Sequence, residues 1–229
     1  MTKKEILFLI LSGFFVANAI IGEMIGGKLI QIGPFTMSIG IIPWPVVFLT
    51  TDLINEYFGK KGVRTITFIT AGLIVYAFII LFAGMSINSA SFSPVNNEQF
   101  NAVFGQSMWI IVGSLTAFLL SQLVDVGVFW MVRNRTGHRM IWLRATGSTV
   151  ISQLIDTFVV SGIAFFLPGK LTLAEYLNVA FTGYVFKFMV ALAVTPLIYA
   201  GHAAVHRFLG KEESEKLVKT AAGNHSLNS

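Results

Sequence analysis

The run MWIIVGSLTAFLLSQLVDVGVFWMV, residues 108–132, decides what kind of protein this is. It is long enough to cross a bilayer, which takes about 20 apolar residues, yet it carries Ser121, Gln122 and Asp125. The phrase Ser121-Gln122-Leu123-Val124-Asp125 then returns as Ser152-Gln153-Leu154-Ile155-Asp156 in the next apolar run. On a helix, the Ser-to-Asp step (i, i+4) and the Gln-to-Asp step (i, i+3) bring hydroxyl, amide and carboxyl onto one face. Serine and glutamine can tie neighbouring helices together. An aspartate at membrane depth costs roughly 2.5–3.5 kcal/mol or more and is rarely kept for packing alone. At least one of Asp125 and Asp156 is therefore read as functional.

Composition extends the reading to the whole chain. Of 229 residues, 55% are hydrophobic and 12% charged, and the mean hydropathy is +0.75. That excludes an ordinary soluble domain and indicates an all-α, polytopic membrane protein. The absence of cysteine excludes disulfides, thiolate nucleophiles and Cys-ligated metals. A net charge of +5 raises the question of nucleic acid, but the basic residues lie in short loops between apolar runs, as membrane orientation requires. No nucleic-acid partner is expected; the bilayer is. Lys3 and Lys4 precede an apolar run too long for a signal peptide, so the first segment is expected to stay as a helix.

Six runs are long enough to span: 6–30, 38–58, 65–87, 108–132, 146–167 and 176–205. Thirteen of the sixteen Lys and Arg residues fall at the ends and loops of one side, with Lys170 on the other. By the positive-inside rule both termini are cytoplasmic. The membrane domain is expected over 1–208, followed by a polar, frayed cytoplasmic tail over 209–229.

Polar residues inside these runs nominate a site. Asn18 falls near the middle of the first, on a face with Gly22 and Gly26, whose spacing permits close helix contact. Glu23 is placed further out, where it either lines the outer mouth or joins Lys28 as an interfacial group. The second run opens with Pro43-Trp44-Pro45, tolerable at a helix start, and carries Asp52, Asn55 and Glu56 on one face. The third is read as scaffold against lipid. The connection 88–106 is the longest and is open to two readings, a cap over an outward-facing cavity or a solvated loop. Trp130 and Trp142 flank a basic loop and are read as interface markers. The sixth run holds Lys187 near its middle, expected to pair with an acid, Asp156 being closest in depth. Pro196 should kink that helix.

Carboxylates and amides among many phenylalanines suit a flat polar ligand with N–H donors and a carbonyl, a purine-like base rather than a sugar or a bare ion. The carboxylates could also carry a proton in step with the ligand. An enzyme is argued against: there is no Gly-x-Gly-Asp, no multi-aspartate signature and no His-Glu-x-x-His, and the four histidines lie at or beyond the cytoplasmic edge. No catalytic residue, metal site or cofactor is nominated. No filter-like loop or ring of like charges suggests a channel.

Four pieces carry a family likeness: Phe48-Leu49-Thr50-Thr51-Asp52-Leu53 with Phe58-Gly59; Gln122-Leu123-Val124-Asp125-Val126 with Val128-Phe129; Ser148-Thr149 through Asp156-Thr157; and Phe186-Lys187. In this order they resemble the queuosine-precursor transporters of bacterial inner membranes, also called the vitamin uptake transporter family. The resemblance implies a multi-pass inner-membrane protein that imports 7-deazaguanine bases, such as 7-cyano- and 7-aminomethyl-7-deazaguanine, for a modified tRNA nucleoside. It implies secondary active transport without an ATPase partner, with a proton as candidate coupling ion, and it admits a homodimer. On this reading Asp156 and Gln153 hold the base edge. Asp125 and Gln122 supply a second contact or the proton, Lys187 is the counter-ion, and Asp52 and Asn18 are further candidates. The rival reading is the substrate-binding subunit of an energy-coupling-factor vitamin transporter, docking through the small-residue face of the first run.

Overall fold

The structure, a computed structural model, describes all residues except 27, 34, 106, 107, 137–139 and 227–229; the side chains of 29, 35, 36, 108, 141, 144 and 222–226 are likewise outside the description. Gln106, His138 and Arg139, and the side chains of Arg144 and His225, are thus expectations that lie outside the described residues. The order is α1 (Lys3–Ile25), a hairpin of β1 (Leu29–Ile32) and β2 (Phe35–Ser38), a 3-10 turn (Ile39–Ile41), α2 (Trp44–Met85), α3 (Asn97–Phe104), α4 (Met108–Thr136), α5 (Ile141–Ser161) prolonged by a π-turn (Gly162–Phe166), α6 (Leu173–Leu209) and α7 (Lys211–Ser226). The all-α expectation holds, and the small hairpin joins two spans.

Two expected boundaries move. The first run stops being helical at Ile25, and the second becomes helical only at Trp44, because the stretch between them pairs with itself: Ile30 faces Met37 and Leu29 faces Ser38. The Ser38 hydroxyl donates to the Gly26 carbonyl at 2.7 Å and accepts from the Gly40 amide at 3.1 Å. That side chain therefore satisfies backbone groups at both the end of α1 and the 3-10 turn.

The second and third expected spans are joined within α2, whose 42 residues would extend about 63 Å if straight, about twice the hydrocarbon core. They do not run straight. Gly59 has φ 73° and ψ −178°. A Cβ on Gly62 would lie 3.5 Å from Cγ2 of Ile54, although eight helical residues rise about 12 Å. The chain thus folds back at Gly59 into two limbs, 44–58 and 60–85, with Lys60, Lys61 and Arg64 exposed at the turn. Among the described residues, five helical stretches are long and apolar enough to cross a membrane, and the folded α2 supplies two crossings, consistent with six.

Only glycine takes up this combination of φ and ψ readily, and other residues pay roughly 1–3 kcal/mol there. Gly59→Ala is therefore expected to lower the unfolding temperature of the detergent-solubilised protein. A control, Gly127→Ala, places its methyl where nothing lies within 4 Å and φ is ordinary. Equal melting curves for the two variants would remove the strain argument.

The turn gathers the basic end of the bundle. Phe8 of α1 packs on Phe58 at 4.9 Å between ring centroids. The tail, expected to be frayed, forms α7 and docks on α2 beside Gly59: Ser214, Leu217 and Ala221 are buried, and Ala221 would lie 3.5–3.7 Å from a Cβ at Gly59. Its polar composition hid a stripe at helical spacing. At the other end, α3 is closed by an Asn96–Gln99 capping box, and Phe100 reaches Gly84 of α2. The long connection thus folds onto the end of α2.

Around the periphery, Phe68, Ile69, Tyr76, Ile79 and Ile80 of the second limb are exposed. That is the lipid-facing surface expected of the third span. The core runs through Phe15, Ala19, Val47, Ile54, Phe118, Val126 and Phe129.

Candidate functional site

Where the 3-10 turn and the start of α2 meet α5 and α6, a narrow crevice, too tight in this conformation to hold a water molecule, is lined by Ile41, Trp44, Phe48, Gln153, Lys187 and Val190. The aromatic wall follows from local geometry. Trp44 and Phe48 are one helical turn apart, so their rings stack at 5.8 Å and 29°, and Phe118 of α4 supports the indole at 6.1 Å. The wall is pressed into place by α1. A Cβ on Gly40 would sit 2.6 Å from the Gly22 carbonyl oxygen, and one on Gly22 3.3 Å from Cγ of Pro43. Gly40 needs to be glycine because two backbones meet there, whereas a methyl at Gly22 would fit only tightly.

The polar wall contains the expected ion pair. Nζ of Lys187 donates to Oδ2 of Asp156 at 2.6 Å, with the side chains 20% and 11% exposed. A lysine in the middle of one helix and an aspartate in another thus neutralise each other at membrane depth. Gln153, one turn before Asp156 on α5, presents a buried amide to the same crevice.

A further carboxyl group joins them. Glu23, read from the sequence as an outer-mouth or interfacial group, is only 7% exposed. It faces the Ser114 hydroxyl of α4 and lies within electrostatic reach of both Asp156 and Lys187. The interfacial reading fits Lys28, which is exposed, and not Glu23. The signal was present: Leu7, Leu11, Phe15 and Ala19 recur every fourth residue, are all buried, and have Glu23 as their next member.

The two copies of the repeated phrase do different things. α4 and α5 run antiparallel as the most extensive helix pair of the molecule. Ser152 of the second copy donates to Oδ1 of Asp125 in the first at 3.1 Å, and the Ser148 hydroxyl also faces that carboxyl. Ser121 bonds back to the Phe118 carbonyl at 3.2 Å. Asp125 is thus held by serines between helices, as expected of serine at such contacts, whereas Asp156 is held by a cation next to the crevice. Gln122 is buried beside Asp125 in sequence, and its Oε1 has no hydrogen-bond partner among the described residues.

Of the remaining candidates, Asp52 is buried one turn below Phe48, on the face Trp44-Phe48-Asp52. Asn55 follows it with no exposed surface, and neither of its amide atoms has a hydrogen-bond partner among the described residues. Asn18 is half-buried and donates to the Phe14 carbonyl of its own helix at 2.8 Å, and it does not line the crevice.

Below Asp52 lies a separate charged cluster. Arg133 is 3.5 Å from Oε2 of Glu56 and donates to the Val218 carbonyl of α7 at 3.0 Å. Its guanidinium lies 4.7 Å above the Trp130 ring. Trp130, read as an interface marker, is therefore a core residue at 2% exposure, while Trp142 is exposed as expected. His202, placed by sequence at the cytoplasmic edge, is buried at Tyr57, Oη to Nδ1 2.8 Å. Aromatic rings, an amide, two carboxyl groups and an ammonium within one small region can offer a flat ring an apolar face and groups that read the hydrogen-bonding pattern on its edge.

Residues 38–201 match the family described as "Putative vitamin uptake transporter". A relative from Bacillus subtilis (strain 168), "Probable queuosine precursor transporter", is 30% identical over 175 residues, 76% of this chain and 75% of the relative. One with the same description from Haemophilus influenzae is 27% identical over 165 residues, 69% and 65% of the two chains. The "Queuosine precursor transporter" of Escherichia coli (strain K12) is 28% identical over 162 residues, 69% of each. No solved structure matches.

Proposed function

The chain belongs to the vitamin uptake transporter family, and on that premise we propose that it imports queuosine precursors, the 7-deazaguanine bases, across the bacterial inner membrane. The family is one of transporters, not enzymes, and the long apolar helices make the chain a multi-pass membrane protein. The names of its relatives support the substrate class. The observation that carries the reading is the crevice where the Trp44 and Phe48 rings stand beside Gln153 and the Lys187–Asp156 pair.

In this reading the crevice, closed in this conformation, opens to admit the bicyclic base against the indole and phenyl faces. A guanine-type edge offers two N–H donors to the Asp156 carboxylate, and Gln153 supplies both a donor and an acceptor. Lys187 releases Asp156 as the base arrives and holds it otherwise, so the acid never stands alone at membrane depth. Asp125, a turn nearer the basic end, and Gln122 serve the second contact or a coupling proton. Asp52, below Phe48, lies on the way inward. Transport is secondary active, and both termini face the cytoplasm.

The rival reading, a binding subunit docked to a separate ATP-driven module, was attached to the small-residue face of α1. That face is occupied by the chain itself, Gly22 against Pro43 and Gly40, and Gly26 against Ser38. This packing supports the reading of a transporter that works alone.

Thermal unfolding of the purified protein with guanine, hypoxanthine, riboflavin, 7-cyano- and 7-aminomethyl-7-deazaguanine tests the substrate class. A ligand at about 100 times its Kd adds roughly 2.7 kcal/mol to the folded state. Stabilisation by the deazaguanines alone is expected; stabilisation by riboflavin alone, or by nothing, refutes the reading. Accumulation by the protein alone in liposomes separates a transporter from a binding subunit.

A further inference from the structure

We propose that Glu23 determines specificity by recognising a positively charged arm on the ligand. This rests on the reading of the Trp44–Lys187 crevice as the ligand site, and it adds a residue from α1 to a set drawn from α2, α4, α5 and α6.

Glu23 ends the buried stripe of α1, and the next-door Gly22 brings that helix onto the aromatic wall: a Cβ on Gly22 would lie 3.6 Å from Nε1 of Trp44. Glu23 itself is 7% exposed and interacts with Lys187, which lines the crevice. The groups around it are the Ser114 hydroxyl from α4, Asp156 from α5 and Lys187 from α6. The Lys187 ammonium is seated on Asp156 at 2.6 Å. Three helices thus bring two carboxyl groups and one ammonium together in a region shielded from water.

Two ligand arms of similar size see this region differently. An ammonium arm brings a second cation to the two carboxyl groups and donates charge-assisted hydrogen bonds to Glu23. A nitrile arm is uncharged and offers no donor, so it has nothing to give a carboxylate. Glu23 should therefore matter for a base with an aminomethyl arm and be nearly indifferent to its cyano counterpart. Asp156 and Gln153, which read the ring edge that the two bases share, should matter equally for both.

The experiment titrates 7-aminomethyl- and 7-cyano-7-deazaguanine against purified wild type, Glu23→Gln and Glu23→Asp in detergent, with monodisperse elution as the check on folding. Glu23→Gln keeps the shape and removes the charge. Its Kd for the aminomethyl base is expected to rise at least tenfold, with that for the cyano base within twofold of wild type. Glu23→Asp keeps the charge on a shorter arm, and a smaller loss confined to the aminomethyl base is expected. Equal changes for both bases in a folded variant, or no change for either, overturn the proposal. Should Glu23→Gln fail to fold, Glu23→Asp decides alone by the same criterion. Wild type that binds both bases while the variants do not discriminate refutes the role of Glu23 and leaves the transport reading standing. Wild type that binds neither base refutes both.

Discussion

Asp156→Asn is expected to weaken binding of 7-deazaguanine bases by roughly 10- to 100-fold, the loss of a charged hydrogen-bonding group, and to reduce uptake to background. The substitution keeps the shape of the side chain but replaces one acceptor oxygen with a donor nitrogen and removes the charge that two ring N–H groups would share. It also leaves Lys187, now seated at 2.6 Å, without its counter-ion. Lys187→Met is expected to damage uptake as well, by leaving Asp156 alone at membrane depth. Because the two residues act as a pair, the double variant should lose less than the sum of the single losses. Isotope uptake in cells dependent on this protein, with surface-expression controls, makes the measurement. Full uptake by Asp156→Asn would refute the site assignment, and strictly additive losses would show that the ion pair is incidental to it.

Arg133→Met should produce the largest loss of stability. Arg133 and Glu56 have side chains only 4% exposed each, and the guanidinium also bonds the Val218 carbonyl. Removing one partner of a buried pair typically costs about 3–5 kcal/mol, because the other charge stays buried without compensation. Here the loss should also loosen α7, since one side chain of α4 holds both the turn of α2 and the C-terminal helix. A methionine fills similar volume, which separates the loss of charge from the loss of packing. Thermal unfolding and limited proteolysis after Lys211 or Lys216 follow the two effects. Adding Glu56→Gln should recover part of the stability in the double variant by removing the stranded carboxylate. If Arg133→Met/Glu56→Gln is no more stable than Arg133→Met, the pair is not the source of the loss. If α7 keeps its resistance to protease, Arg133 is not what docks it.

The contrast between these two ion pairs shows what could be read in advance. Lys187 and Asp156 are 31 residues apart, yet their pairing was legible, because each is an isolated charge at similar depth in an apolar helix and the cost of leaving either alone is high. Arg133 and Glu56 are 77 residues apart and were not legible. Both lie where apolar runs give way to basic loops, and there a charge has water, lipid headgroups and several neighbours to choose from. Glu23 was left between two readings, outer mouth and interface, for a related reason. Depth along α1 does not show that the rotation of the helix about its axis buries it.

The sequence by itself determined the class and the spans. Runs of apolar residues near 20 long, interrupted by loops of one charge sign, admit few structures other than a helical membrane protein, because unpaired backbone groups are too costly in lipid. It also placed the repeated phrase on two helices and assigned its polar groups to one face of each, since helical periodicity is local. Only the tertiary structure decided which helix each face meets: Asp125 against Ser152, Asp156 against Lys187, Glu23 beside both members of that pair, and α7 against the turn at Gly59. Local periodicity sets where a side chain points relative to its own helix axis. What it points at depends on how the helices pack, and that is settled by side-chain shapes and charges from segments far apart in the chain.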